Sequence, residues 1–378
     1  MHGDYAVRSV GATLKNGFAV QLPIAPEKIS SITGQLTTAN YIPRNANGTE
    51  AGQSKAVFVP FDDPKALINS ANTFVNVYNG RTHVKSDTAK VKITFTSPLA
   101  ASELVLNEDG SVYHLNLLPE DLAEKVILVG DPDRVPKVSK YFDTIEIKKN
   151  KREFYTHTGT LRGERITVMS TGIGTENIDI VMNELDALVN IDLKEKAFKT
   201  DHKALELFRL GTCGSVNPDI EVNNMLVTEN VVGLDGLLHF YQDYAFENEF
   251  SKNFMAKFPY EKIKPMLYFS DWAKDISDYY ADAKYRGNTA TFPGFYAPQG
   301  RQLRLKALDD QFLETLNDLG VSNFEMETSA IYALSKLLGH KALTVNCVIA
   351  NRRRGEFASD HHASEKMMIE WVLERIIK

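Results

Sequence analysis

Three short apolar runs each lead into a glycine-containing segment, and two of these segments have an arginine close by. Val126-Ile-Leu-Val129 meets Gly130-Asp-Pro-Asp-Arg134, Arg165-Ile-Thr-Val-Met-Ser170 meets Gly172-Ile-Gly174, and Leu207-Phe-Arg-Leu210 meets Gly211-Thr-Cys-Gly214, with Arg209 two residues before its glycine. A glycine turn after a strand exposes backbone N–H groups, and arginine adds a planar fork of donors. The combination suits an anion such as phosphate. The plainer alternative leaves the glycines as turns and the arginines in solvent. Two common nucleotide motifs do not fit. Position 177 is asparagine where a dinucleotide fingerprint needs its third glycine, and no Gly-x4-Gly-Lys-Ser/Thr run occurs.

The elements that must carry these turns change character along the 378 residues. From about Lys125 the pattern is strand, glycine turn, amphipathic helix; Ile178, Val181, Leu185, Leu188 and Val189 recur at helical spacing. That alternation predicts an α/β unit with a sheet flanked by helices and ligands held at the strand ends. Residues 1–99 read differently, as short antiparallel strands at Phe18–Leu22, Ala56–Pro60, Thr73–Tyr78 and Lys90–Phe95, with one helical turn over Pro64–Asn69. Their net charge is +4, against −10 for the remainder, which marks a boundary between a 1–99 module and a 100–378 domain. Asn47-Gly-Thr49 has the form of a glycosylation acceptor and reads as a polar turn.

Composition narrows the classes. A hydrophobic content of 43% with 24% charged residues is that of a folded globular chain, and a net charge of −6 argues against nucleic acid as a partner. Two cysteines, Cys213 and Cys347, exclude a disulfide framework and suit a reducing, cytoplasmic setting. Neither a membrane span nor a secretion signal is expected.

Seven ordered segments carry a family resemblance: Gly130–Arg134, Lys151-Arg-Glu-Phe154, Ser170–Gly174, Arg209-Leu-Gly-Thr212, Phe295-Tyr-Ala-Pro-Gln-Gly-Arg301, Phe324-Glu-Met-Glu-Thr-Ser329 and Val348-Ile-Ala-Asn-Arg352. From about Ser102 to Lys378 the chain resembles the nucleoside phosphorylase family, nearest its uridine phosphorylase branch. The resemblance implies a phosphorylase-type mixed sheet and reversible phosphorolysis of uridine to uracil and ribose 1-phosphate. It implies phosphate binding by Gly130, Arg134, Arg209 and Thr212, with Arg152 reaching in from a neighbouring subunit. Glu327, Met326 and Thr212 would hold the ribose, and His114 would reach the 5′-hydroxyl across a dimer. Gln299 and Arg301 would read the base, Phe295 would stack on it, and Val348, Ile349 and Arg352 would line its pocket. Arg134, Arg209, Gln299, Arg301 and Glu327 are thus the expected catalytic set. The purine branch tends to carry Ser-Asp near Ala350-Asn351, so the acid that protonates a purine is missing.

The resemblance implies inorganic phosphate as co-substrate, no organic cofactor, and a homodimer or a hexamer built of dimers. It allows a potassium ion at Glu153, Ile173 and position 177, where asparagine replaces serine. The aromatic segment Phe240–Asn288 is expected either over the base pocket or at an assembly surface. The N-terminal module is similar to part of the LruC-type β-domain of bacterial surface lipoproteins, which makes the chain read as a fusion. Purine phosphorolysis and hydrolysis by water are the competing enzymatic readings. A surface or binding protein worked by the β-module is the competing reading from another class.

Overall fold

The computed structural model describes residues 101, 103–242 and 244–377, together with the backbone of seven strands in residues 1–95. The chain divides into two units, Met1–Glu103 with Lys194–His202, and Leu104–Leu193 with Lys203–Lys378. In the first, Gly3–Arg8, Thr88–Phe95, Ile29–Leu36 and Val57–Pro60 pair in that order, and Phe18–Gln21, Phe74–Val77 and Ile68–Asn69 form a second sheet. The helical turn expected to reach Asn69 is not formed at its end. Ile68 pairs with Val75 and Asn69 with Phe74 in the second sheet, and a β-branched residue such as isoleucine is favoured in strands. Pro64–Leu67 and Asn47–Thr49 lie outside the described residues.

The second unit is built on eleven strands: β1 Lys125–Val129, β2 Thr144–Lys151, β3 Phe154–Leu161, β4 Glu164–Ser170, β5 Glu206–Ser215, β6 Met225–Gly233, β7 Tyr268–Asp271, β8 Tyr285–Thr291, β9 Val321–Glu325, β10 Lys341–Asn351 and β11 Glu356–Phe357. Its helices are α1 Arg134–Ser139, α2 Thr175–Asn190, α3 Glu249–Lys257, α4 Phe312–Asp318, α5 Thr328–Leu338 and α6 His361–Ile376. Strand β1 lies between β4 and β5, parallel to both, and β4, β3 and β2 continue as antiparallel neighbours. On the other side the sheet closes on itself. Strand β5 pairs with both β9 and β10, β10 with β6, β6 with β8, and β8 with β9, so five strands form a ring.

Apolar side chains face outward from this ring against helices. Phe208 and Leu210 of β5 pack with Val345 and Cys347 of β10 and with Met368, Ile369, Val372 and Leu373 of α6. On α2 the expected stripe forms: Ile178, Val181, Leu185 and Leu188 are buried, each burial stabilising by about 1.5–3 kcal/mol. Strand β5 departs from expectation. Gly211-Thr-Cys-Gly214 is not a turn; the strand runs on to Ser215. Its glycines serve close approach instead. A Cβ at Gly214 would lie 2.5 Å from the Phe324 ring, and one at Gly211 would lie 2.4 Å from Asn346 Oδ1. Among the described residues no helix is long and apolar enough to cross a membrane.

Candidate active site

The strand ends and their loops enclose a cleft of about 790 Å³. Gly130, Arg134, Arg209 and Thr212 line it together with Met326 and Glu327, and with Phe295, Gln299, Arg301 and Ile349. Residues from all seven expected segments therefore meet in one space, Glu153 coming from the second and Gly172 and Ile173 from the third.

Arg134 and Arg209 are both buried and already held. Arg134 opens α1; its Nε donates to Glu365 Oε1 of α6 and its Nη1 to the Leu210 carbonyl at 3.1 Å. Lys137 Nζ also donates to Glu365, at 3.0 Å. Burial by itself raises the Glu365 carboxyl, but the bonds and charges of Arg134 and Lys137 outweigh it and hold the pKa below the usual range. Arg209 Nη2 donates to Glu327 Oε2 and lies 3.3 Å from Glu325 Oε2. Burial opposes the Arg209 cation, yet two carboxylates beside it keep its pKa above the ordinary arginine value. Burial pushes Glu327 up, Arg209 pulls it down and Glu325 adds to the rise; the net shift is upward.

Glu327 is placed by the start of α5 and by a turn from elsewhere in the unit. Its Oε1 accepts the Gly174 N–H at 2.8 Å, and Gly174 adopts φ 98°, a left-handed conformation that favours glycine. Glu325 completes the frame: its Oε2 accepts the N–H groups of Glu327 and Thr328 at 2.9 Å each, and its Oε1 accepts the Thr291 hydroxyl at 2.7 Å.

Elsewhere in the cleft lining, Arg301 Nη1 donates to Gln299 Oε1 and to the Phe295 carbonyl at 2.8 Å, while its guanidinium lies 3.8 Å from the Phe295 ring centroid. Arg352 Nη1 donates to the Gln299 carbonyl at 3.5 Å. Burial and then the neighbouring charge of Arg352 lower the pKa of Arg301. Gln299 is buried, whereas Phe295 is 50% exposed, with Arg301 stacked over its ring. Asn351 is fully used by the backbone. Its Nδ2 donates to the Asn217 and Ile220 carbonyls, and its Oδ1 accepts from Arg353 and Arg354.

Some expected residues stand elsewhere. Val348 does not line the cleft; it packs against Cys213, Ile220 and Leu226, because strand alternation sends it to the opposite side from Ile349. Arg152 is exposed at the β2–β3 turn with φ 56°, and His114 bonds Glu184 through Nδ1 at 2.6 Å; neither lines this chain's cleft. Segment Phe240–Asn288 contributes no cleft residue either. Its Phe250, Phe254, Phe258 and Phe269 pack together, and Trp272, Tyr279 and Tyr280 join the cluster that includes α6. Asn177 Nδ2 donates to the Ile173 carbonyl at 3.5 Å, beside Glu153.

The chain's own sequence reading misses three carboxylates. Glu325 was within reach, since it sits two residues before Glu327 and a strand returns to the same face every second residue. Glu365 and Glu184 carry no local signal, because their partners Arg134 and His114 are distant in sequence.

A mixed sheet closed into a ring, an arginine-lined cleft and a paired glutamate within it define a phosphorylase. The chain belongs to the phosphorylase superfamily, whose family model matches residues 124–378. Among relatives, a uridine phosphorylase of Thermococcus kodakarensis is 30% identical over 288 residues, covering 73% of this chain and 93% of its own. A DeoD-type purine nucleoside phosphorylase of Oceanobacillus iheyensis is 27% identical, covering 70% and 99%. In solved structures, a Trypanosoma brucei nucleoside phosphorylase that shows uridine phosphorylase activity aligns with TM-score 0.66 and 29% identity, over 72% of this chain and 99% of that one. Residues 1–108 match a separate domain of unknown function, DUF4842.

Proposed function

We propose that the chain catalyses reversible phosphorolysis of uridine to uracil and ribose 1-phosphate, as a step of pyrimidine salvage in the cytoplasm. The observation that carries this reading is the Gln299–Arg301–Phe295 cluster, which lines the same cleft as Arg134 and Arg209. Uracil offers two carbonyl acceptors and one N–H; a glutamine beside an arginine matches them, and the arginine stabilises charge as the base leaves. Phosphate enters at Gly130, Arg134, Arg209 and Thr212, and its charge-assisted bonds aim an oxygen at the anomeric carbon. Ribose hydroxyls replace Arg209 as the partner of Glu327, which frees Arg209 Nη2 for the phosphate. No step is assigned to a metal or organic cofactor. Arg152 and His114 complete the site from a neighbouring subunit in a homodimer or a hexamer of dimers.

The purine reading is opposed by Asn351, whose amide is committed to backbone groups and which carries no proton for a purine nitrogen. Hydrolysis by water would give the cleft's two buried arginines no phosphate to bind. The deciding experiment is release of uracil from uridine with and without inorganic phosphate, beside inosine as the purine control. Phosphate-dependent uracil release is expected. Release at the same rate without phosphate points to a nucleosidase, inosine cleavage alone to the purine branch, and no cleavage to a binding role.

A further inference from the structure

The pairing that carries Arg209 into the cleft brings a second polar side chain beside it. Alternation puts Arg209, Gly211 and Cys213 on one face of β5. The parallel register sets Thr344 next to Arg209 and Asn346 next to Gly211 on β10. Asn346 is completely buried, and neither its Oδ1 nor its Nδ2 has a hydrogen-bond partner; Arg209 Nε and Thr344 Oγ1 also lack one. Buried amides are nearly always paired, because burial removes the bonds they made to water. An apolar residue would satisfy this position at no such cost, as Val348 does two residues along the strand. Both groups flank one spot: a Cβ at Gly211 would lie 2.4 Å from Asn346 Oδ1 and 2.8 Å from Arg209 Nη1. Glycine keeps the space between amide and guanidinium open, and Gly211 itself lines the cleft.

We propose that Asn346 is a positioning residue for phosphate, its Oδ1 accepting from Arg209 when Glu327 turns to the ribose. The inference rests on the reading of Arg209 as a phosphate ligand. A guanidinium carries five N–H donors in a fixed fork; the anion needs one edge, and an acceptor behind the other edge fixes its direction. The acceptor is best neutral. A third carboxylate beside Glu325 and Glu327 would compete with phosphate for the cation, whereas an amide holds the group without cancelling its charge.

The test uses the full chain with Asn346→Leu, and inorganic phosphate as the calorimetric probe. Phosphate binding is expected to weaken by about tenfold, as for loss of one hydrogen bond to a charged group. The KM for phosphate rises with it, while the KM for uridine stays within about twofold. The Tm does not fall, since an apolar side chain replaces an unpaired amide. A purely structural role would lower Tm and move both KM values together. If the leucine variant does not fold, Asn346→Ser, whose hydroxyl is too short to reach the guanidinium, is expected to weaken phosphate in the same direction. Unchanged phosphate affinity in a folded variant overturns the proposal, as does an unsubstituted chain that fails to bind phosphate. An unsubstituted chain that binds phosphate yet leaves uridine intact refutes the uridine reading alone.

Discussion

Arg209 is the residue on which most of the site's charge converges. Its removal strips the phosphate of an ionic hydrogen bond and leaves Glu325 and Glu327 facing each other without a cation. Arg209→Ala is expected to lower kcat/KM for uridine by roughly 30-fold to several thousandfold, the equivalent of about 2–5 kcal/mol for a truncated buried pair. Steady-state kinetics with uridine varied at saturating phosphate check it, and at saturating uridine the KM for phosphate should rise. A second residue answers to pH and lies outside the cleft. Burial, then the charge of Lys148, lowers the His157 pKa to about 4, and Ser139 Oγ lies 2.7 Å from its Nδ1. The unfolded chain therefore binds a proton at His157 below about pH 6.5 that the folded chain takes up only near pH 4. Stability should fall as pH drops through this window, by up to about 1.4 kcal/mol per pH unit from this group. Urea midpoints at pH 7 and 5 should differ less in His157→Gln than in the unsubstituted chain. At this scale the arginines were legible because their neighbours in sequence also form the cleft. Their carboxylate partners were not, since a buried cation announces the need for a counter-charge but not its address.

Elements show the same limit from another side. The apolar runs Val126–Val129, Arg165–Ser170 and Leu207–Leu210 all fall in strands, because β-branched and alternating residues report the sheet directly. Gly211 and Gly214 mislead: a glycine that permits a turn and one that permits close packing look identical in one dimension. Gly214→Ala distinguishes them. In a turn the methyl would reach solvent, whereas here it meets the Phe324 ring, and overpacking of this kind costs about 1–3 kcal/mol. A lowered denaturation midpoint with Gly214→Ala, relieved by pairing it with Phe324→Leu, is the expected result. The closed ring itself was not legible, for it depends on β5 taking β10 along its whole length while its other partner changes from β1, up to Leu210, to β9 at Gly214 and Ser215.

For the whole molecule, every cleft residue falls between Gly130 and Phe357. A chain beginning at Ala101, with His114 and its flanking segment intact, is expected to cleave uridine at a rate per folded site comparable to that of the full chain. Loss of cleavage by a folded, correctly assembled truncated chain would mean that residues 1–99 order the site. The change in charge and residue usage near residue 100 was visible in composition alone, while the activity of the α/β part needed ordered motifs. Composition reports what a segment is built from, and only spacing reports what it gathers.

The Arg209–Glu327 pair has one more consequence, for how the two substrates meet the protein. On the proposed assignment each substrate's principal ligand is tied up by the other's, so the first to bind must break the pair and the second finds its ligand already released. Nucleoside and phosphate then act as effectors of one another, and linkage requires the enhancement to be equal in both directions. Titration of phosphate with and without a non-cleavable uridine analogue, and of the analogue with and without phosphate, should give the same enhancement factor. Arg209→Ala and Glu327→Ala should each reduce that factor towards one.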